Sequence, residues 1–353
     1  MRASAANMFL QGGEDEPPLH GGDLGAARRL FPGAPEPFID LSTGINPHPY
    51  PLPRFSTHLV ARLPDPAALR ALATAAARAY GAPSPAHVVP ASGAQILLPF
   101  VAGLVPAGRA AIVVPTYSEY ARAMAFAGHS VRPVHRIDKG GDAALVIVAN
   151  PNNPDGRLMA RTDLLALAKD LRRSGGVLVV DEAFMDVAPS KASLAADVGC
   201  GNVVVLRSFG KFFGLAGLRL GFALAAPAMG ARLRAGLGPW PVSAPALAVG
   251  VKALADAAWI ECTKRRLDKS AKRLDVALAG AGLDIVGGTS LFRLVQTPAA
   301  SGLFRHLGHA GIWLRAFPDN ASWLRFGLPA NEQQWRRLAG AMASFRESRK
   351  TLR

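Results

Sequence analysis

Lys211 stands in the stretch Val203–Ala223, VVVLRSFGKFFGLAGLRLGFA, with Phe209, Gly210, Phe212, Phe213 and Gly214 as neighbours. An ammonium group set among aromatic and glycine residues does not read as a solvated surface cation. Burial disfavours its charged form, and an amine of that kind suits Schiff-base chemistry. Ser208 and Arg219 flank it as two donors suited to a phosphate. Two further polar signals lie upstream, NPNNPDG at Asn150–Gly156 and the acidic pair Asp181-Glu182.

These groups need elements to bring them together. The middle of the chain alternates β-branched runs at 110–114, 144–149, 176–180, 202–206 and 218–223 with helical stretches such as SEYARAMAFAG and RTDLLALAKDLRRSGG. The second of these reads as a helix with Thr162 as its N-cap and glycine at its close. The alternation predicts an α/β domain with a largely parallel sheet. In such sheets ligands bind outside the carboxyl ends of the strands. NPNNPDG, DE and RSFGK each follow a predicted strand directly, so three signals converge on one crevice. Taken singly, each has a plainer reading: Asn, Pro, Asp and Gly favour turns, and DE can cap a helix.

After a Pro- and Gly-rich stretch around LGPWPVSAPA, helical sequence is expected from about 245 to 280. Strands then follow near TSLFRLVQ, GIWLRAF and SWLRFGL, with a last helix from Asn331, which is the pattern of an α+β unit. The segmentation is residues 1–18 as a disordered extension and 19–60 as an arm joining the small domain. Residues 61–245 form the large domain, and 246–353 the linking helix and C-terminal small domain.

The chain has 353 residues and 50% hydrophobic composition, enough for a sizeable core in about two units. Cys200 and Cys262 form neither a disulfide framework nor a zinc spacing, so a reducing, cytoplasmic setting is the simplest expectation. No apolar run is long enough to span a membrane, and the first twenty residues lack the apolar centre of a signal peptide. The charge is +15, from 40 Lys plus Arg against 25 Asp plus Glu. Its concentrations, TKRRLDKSAKRL and RESRKTLR, read as solvated faces of late helices, with no stacking aromatics for nucleic acid. Anionic small substrates fit the charge equally well. No Walker glycine pattern is present, because position 205 is Val, and HLGH at His306 and His309 lacks companion ligands, so no metal is expected.

A buried amine, a carboxylate at a neighbouring strand end and phosphate donors beside the amine suit pyridoxal phosphate. Lys211 would attach to its aldehyde. Asp181 would keep the ring nitrogen protonated, making the ring an electron sink for a carbanion at the substrate Cα. Ser208, Arg219 and the start of a helix at Ser92, Gly93 and Ala94 would hold its phosphate, and Asn153 would reach the ring hydroxyl.

NPNNPDG, VDEAF and SFGKFFGLAGLRLG resemble, in order and spacing, the signature of fold-type I aminotransferase-like enzymes, especially the histidinol-phosphate aminotransferase group. HGGDL at His20–Leu24 with DLSTGINPHPYP at Asp40–Pro51 resembles the narrower group of cobalamin-biosynthetic threonine-phosphate decarboxylases. The resemblance implies a large domain with a mostly parallel seven-stranded sheet flanked by helices, a small α+β domain built from the two chain ends, and a homodimer with its site at the interface. It also implies Tyr117 as a further cofactor residue. His20, Gly21, Gly44 and Asn153 would bind substrate, and Arg315 and Arg325 would receive its anions. Two residues depart from the group's pattern: Phe184 replaces a tyrosine after DEA, and Leu63 replaces the tyrosine of RYPDP. A third, Asp155, stands where Thr is common, a small change in a turn.

The leading reading is decarboxylation of L-threonine O-3-phosphate to aminopropanol phosphate. An aminotransferase acting on a phosphorylated substrate such as histidinol phosphate is the alternative. A regulator with an aminotransferase-like domain is suggested only by the charge, and the nineteen residues before His20 are not expected to supply a DNA-binding domain.

Overall fold

The computed structural model describes residues 20–137 and 142–351, so the expectation for residues 1–18 lies outside the described residues. The chain divides into two compact units, one of His48–Arg266 and one of Met1–Pro47 with Leu267–Arg353.

The unit His48–Arg266 is built on seven strands: β1 (Val88–Ala91), β2 (Arg109–Val113), β3 (Ser130–Val134), β4 (Leu145–Ala149), β5 (Val177–Asp181), β6 (Val203–Ser208) and β7 (Gly221–Leu224). Their order is β1-β7-β6-β5-β4-β2-β3; β7 pairs antiparallel with both β1 and β6, and the remaining pairs are parallel. The expected α/β architecture with a seven-stranded, mostly parallel sheet is therefore present. Strands β4 and β5 are buried along nearly their whole length, which explains their continuous apolar runs. The two strands that the sequence pattern does not disclose, β1 and β3, are the two edges. Each contains a proline, Pro90 and Pro133, which an edge strand tolerates and which masks the strand signal.

Helix α1 (Pro66–Tyr80) precedes β1, and helices α2 (Ala94–Ala102), α3 (Glu119–Phe126) and α4 (Arg161–Arg173) connect strands. Asp65 caps α1 by accepting from Ala67 N–H at 2.7 Å, and Gly81 at φ +74° ends it. The start of α4 differs from the expectation. The helix begins at Arg161, with Ala160 before it and no side-chain cap, so Thr162 lies inside the first turn. Asp163 in that turn complements the positive end of the helix. The helical stretch expected from 245 to 280 is two helices, Ala244–Ala255 and Ala257–Gly280. Asp256 breaks the run, and its carboxylate accepts from Trp259 N–H at 2.9 Å to open the second helix.

The other unit has a four-stranded antiparallel sheet, in the spatial order Arg315–Ala316, Trp323–Phe326, Phe292–Gln296, Asp284–Thr289. A short parallel pair, Ile39–Asp40 with Ile312–Trp313, ties the N-terminal segment to the C-terminal one. The helices Ala300–His309 and Glu332–Thr351 complete this α+β unit.

Candidate active site

A cavity opens at the carboxyl ends of the parallel strands of the larger unit. Gly93, Ala94, Tyr117, Asn153, Asp181, Ser208, Lys211 and Arg219 line it together. Three sequence signals from separate strands thus meet at one place. Ser92 is exposed and lines a neighbouring hollow, and its hydroxyl donates to Pro241 O at 2.7 Å.

Lys211 sits on the single turn α5 (Phe209–Phe212) immediately after β6. Packing fixes that turn. Phe209 stacks on Phe213 with ring centroids 4.3 Å apart, and Phe213 stacks on Trp259 at 5.5 Å. Tyr50 N–H donates to Phe213 O at 2.9 Å and closes the aromatic cluster. Gly210 makes the turn possible, because a Cβ there would lie 2.7 Å from Ala216 Cα. Lys211 itself is half-buried, with Nζ 5.7 Å from the centre of the Phe184 ring. That ring occupies the position where the resemblance expects a phenol.

Asp181 ends β5 and faces α3. Its Oδ2 accepts from Tyr120 Oη at 2.6 Å and its Oδ1 from Ala183 N–H at 2.9 Å. Burial raises its pKa, opposed by these two donors and by the positive charges of Lys211 and Arg207. Tyr120 is itself buried, and desolvation with the Asp181 charge pushes its phenol well above the ordinary value, so it stays a neutral donor.

At the other end of the cavity the backbone is drawn tight. A Cβ on Gly221 would lie 2.2 Å from Ala94 N, and one on Gly93 would lie 2.7 Å from Arg219 Nη2. Arg219 has φ +52°, a left-handed conformation uncommon for a branched-chain or long side chain, and it brings the guanidinium over the first residues of α2.

Sequence reading missed Tyr120, Gln95 and Ala183. Gln95 lines the cavity and accepts from Tyr117 Oη at 3.2 Å. The only signal for Tyr120 was its place three residues after Tyr117, one helical turn along, and its ring meets Tyr117 edge-on at 5.5 Å.

His20, Gly21, Gly44, Arg315 and Arg325 belong to the other unit, where most of them gather about Ser42. Ser42 Oγ accepts from Gly22 N–H at 2.8 Å, and Gly21 lies so close that a Cβ would be 2.4 Å from Ser42 O. Arg325 Nη2 donates to Ser42 O at 2.7 Å. Gly44 is buried two residues beyond Ser42, and His20 is exposed. Arg315 and Arg325 are register partners on adjacent strands. Burial first, and then the like charge of Arg315, push Arg325 down to about 9, still cationic at neutral pH. Among the described residues no group of His, Cys, Asp and Glu could hold a metal ion. Here His306 Nε2 is within hydrogen-bonding distance of Ala341 O, at 2.9 Å.

Residues 37–342 match the family model of class I and II aminotransferases. The chain belongs to this family. It is 44% identical over 329 residues to a threonine-phosphate decarboxylase of Sinorhizobium sp, covering 93% of this chain and 98% of the relative. A threonine-phosphate decarboxylase of Pseudomonas aeruginosa is 40% identical over 331 residues, with 93% and 98% covered. The fold of this aminotransferase-family chain is similar to that of histidinol-phosphate aminotransferase from Sinorhizobium meliloti in complex with pyridoxal-5'-phosphate. The TM-score is 0.79 at 22% identity, with 98% of each chain covered.

Proposed function

We propose that the protein is a pyridoxal-phosphate-dependent carboxy-lyase that converts L-threonine O-3-phosphate to (R)-1-aminopropan-2-ol phosphate, a step of cobalamin biosynthesis. The observation that carries this reading is the 44% identity, over nearly the whole of both chains, to a relative named for that activity.

The residues fit the cofactor. Gly93 and Gly221 leave a cradle that a single Cβ would fill. The N-terminus of α2, the Ser208 hydroxyl and the Arg219 guanidinium supply donors for a phosphate there. Lys211 is the amine that would hold the aldehyde, and Tyr117 and Asn153 would face the ring. When bound, pyridoxal phosphate supplies a sink for the electron pair left at Cα as carbon dioxide departs. Asp181, oriented by Tyr120 and Ala183 N–H, would keep a proton on the ring nitrogen. Lys211 Nζ, once released from the aldehyde, would deliver the proton that takes the carboxylate's place at Cα. Phe184 would leave the ring hydroxyl to Asn153.

Arg315 and Arg325 are proposed to receive substrate anions. Two guanidinium groups at paired positions repel each other, and a bound anion would relieve that repulsion. His20, Gly21 and Gly44 are proposed as further substrate residues. A homodimer is also proposed, supported by exposed apolar side chains in one segment of the larger unit, namely Leu52, Phe55, Val60 and Leu63. Free thiols at Cys200 and Cys262 favour a cytoplasmic location, and no helix among the described residues is long and apolar enough to cross a membrane.

The deciding experiment incubates the holoenzyme with L-threonine O-3-phosphate and no oxo-acid, following carbon dioxide and amine. One carbon dioxide per amine phosphate is the expected result. Turnover that begins only when an oxo-acid is added, without carbon dioxide, would make it an aminotransferase instead.

A further inference from the structure

The turn Asn150–Gly156 holds polar groups that the proposed chemistry does not use. Asn152 is buried, and its amide has a partner on every side. Nδ2 donates to Pro115 O at 2.9 Å and to Asp155 Oδ1 at 2.8 Å, while Oδ1 accepts from Thr116 Oγ1 at 2.9 Å. Asp155 Oδ1 also accepts from Arg157 N–H at 3.1 Å, and its Oδ2 accepts from Arg157 Nη1 at 2.7 Å. Arg157 Nη2 extends towards Val114 O and Pro115 O, each 3.4 Å away. Asn152 N–H donates to Arg157 O at 2.9 Å, which closes the turn on itself.

These bonds fasten the loop after β4 to the segment after β2. Each fastened segment carries a cavity residue one position further on: Tyr117 follows Thr116, and Asn153 follows Asn152. A threonine at 155 has one hydroxyl oxygen. It could not accept at once from the Asn152 amide, a backbone N–H and a guanidinium. The Asp155 carboxylate has the lone pairs to do all three, and Arg157 balances its charge in a half-buried setting. A substitution that the sequence presents as a small change in a turn is therefore the centre of a cross-loop fastening.

We propose that Asp155 and Arg157 are positioning residues that hold Tyr117 and Asn153 in place for pyridoxal phosphate. The proposal rests on the functional reading above, since it takes the cavity to be the cofactor site. Asp155 fixes the Asn152 amide, Asn152 fixes Pro115 and Thr116, and the direction of Tyr117 follows.

The test is titration of the apoprotein with pyridoxal phosphate, followed by tryptophan fluorescence, with melting temperature measured alongside. Asp155→Ala and Arg157→Ala should each weaken binding about 10-fold, and the double variant should be no weaker than the poorer single one, because both cut the same link. In a Tyr117→Ala background, Asp155→Ala should cost less than about 3-fold. The melting temperature of the apoprotein should stay near the parent's. Should Asp155→Ala fail to fold, Asp155→Asn replaces it. That variant keeps an oxygen for Asn152 but loses the charge, so it should bind between the parent and Arg157→Ala. Parental affinity in both single variants, additive losses in the double, or an undiminished loss in the Tyr117→Ala background would each overturn the proposal while leaving the cofactor site standing. A parent that binds no pyridoxal phosphate would overturn the functional reading, and this proposal with it.

Discussion

Two neighbouring pairs of residues, Asp181-Glu182 and Arg207-Ser208, send their side chains to opposite faces of the same sheet, and the two faces use charge differently. On the cavity face, Asp181 and Ser208 stand with Lys211 around open space. On the other face, Glu182 and Arg207 are consumed in a buried cluster. Arg207 Nη1 donates to Glu182 Oε2 at 3.1 Å and Nη2 to Asp186 Oδ1 at 2.8 Å, and the guanidinium lies 4.2 Å above the centre of the Tyr80 ring. Glu182 also accepts from Ser193 Oγ at 2.6 Å and Leu194 N–H at 2.7 Å. Burial works against the charge of Arg207, but Asp186 and Glu182 outweigh it and raise its pKa. A charge paired with opposite charges in this way holds strands together. A charge left facing a cavity is available to a ligand.

The sharpest separation of the two faces should come from Lys211→Ala. It should abolish turnover and borohydride labelling of the chain by pyridoxal phosphate, with the melting temperature nearly unchanged. Labelling of a different lysine in the parent would move the site elsewhere. Arg207→Ala should do the reverse. It leaves the buried Glu182 and the half-buried Asp186 without their cation, and chemical denaturation should show a loss of about 3–5 kcal/mol. A variant as stable as the parent would mean that the cluster is not structural.

Asp181→Asn should have effects of opposite sign in the two measurements. Turnover should fall on the order of 100-fold or more, because an amide cannot hold a proton on the ring nitrogen. The apoprotein, however, should melt higher than the parent at neutral pH. Burial raises the Asp181 pKa in the folded state, so its stabilising contribution is complete below the unfolded value of 3.8 and is lost as pH rises through the folded value. At neutral pH the ionised carboxylate costs stability that asparagine does not, and the gap between variant and parent should narrow as pH is lowered. A gap that widens on acidification would contradict the assigned direction of the shift. The smallest effect belongs to Tyr120→Phe. Water in the cavity can replace the lost donor, so turnover should drop by only about 1 kcal/mol of activation free energy, about fivefold. No change at all would show that Asp181 needs no help from Tyr120.

Much of this arrangement was legible in the residues. The apolar runs of β4, β5 and β6 mark central strands, and within four residues of the end of each lies a polar residue of the cavity, Asn153, Asp181 and Ser208 with Lys211. Strand ends of a parallel sheet converge, so Asn153, Asp181 and Lys211 could be associated before any fold was known. The edge strands were not legible, because Pro90 and Pro133 interrupt patterns that an edge does not need to keep. Tyr120 was not, because a tyrosine on an amphipathic helix reads as core until its hydroxyl is found 2.6 Å from a carboxylate.

By itself, then, the sequence determined which groups are present and the order of strands and helices that carries them, since periodicity and turn chemistry are local properties of the chain. Tertiary structure alone decided that Glu182 and Arg207 pair in a buried cluster, that Tyr120 reaches Asp181, and that Asn152 and Arg157 reach across to the loop after β2. Those outcomes depend on contacts between residues tens of positions apart. Local sequence carries no record of the lone pairs and charges that such a distant partner brings.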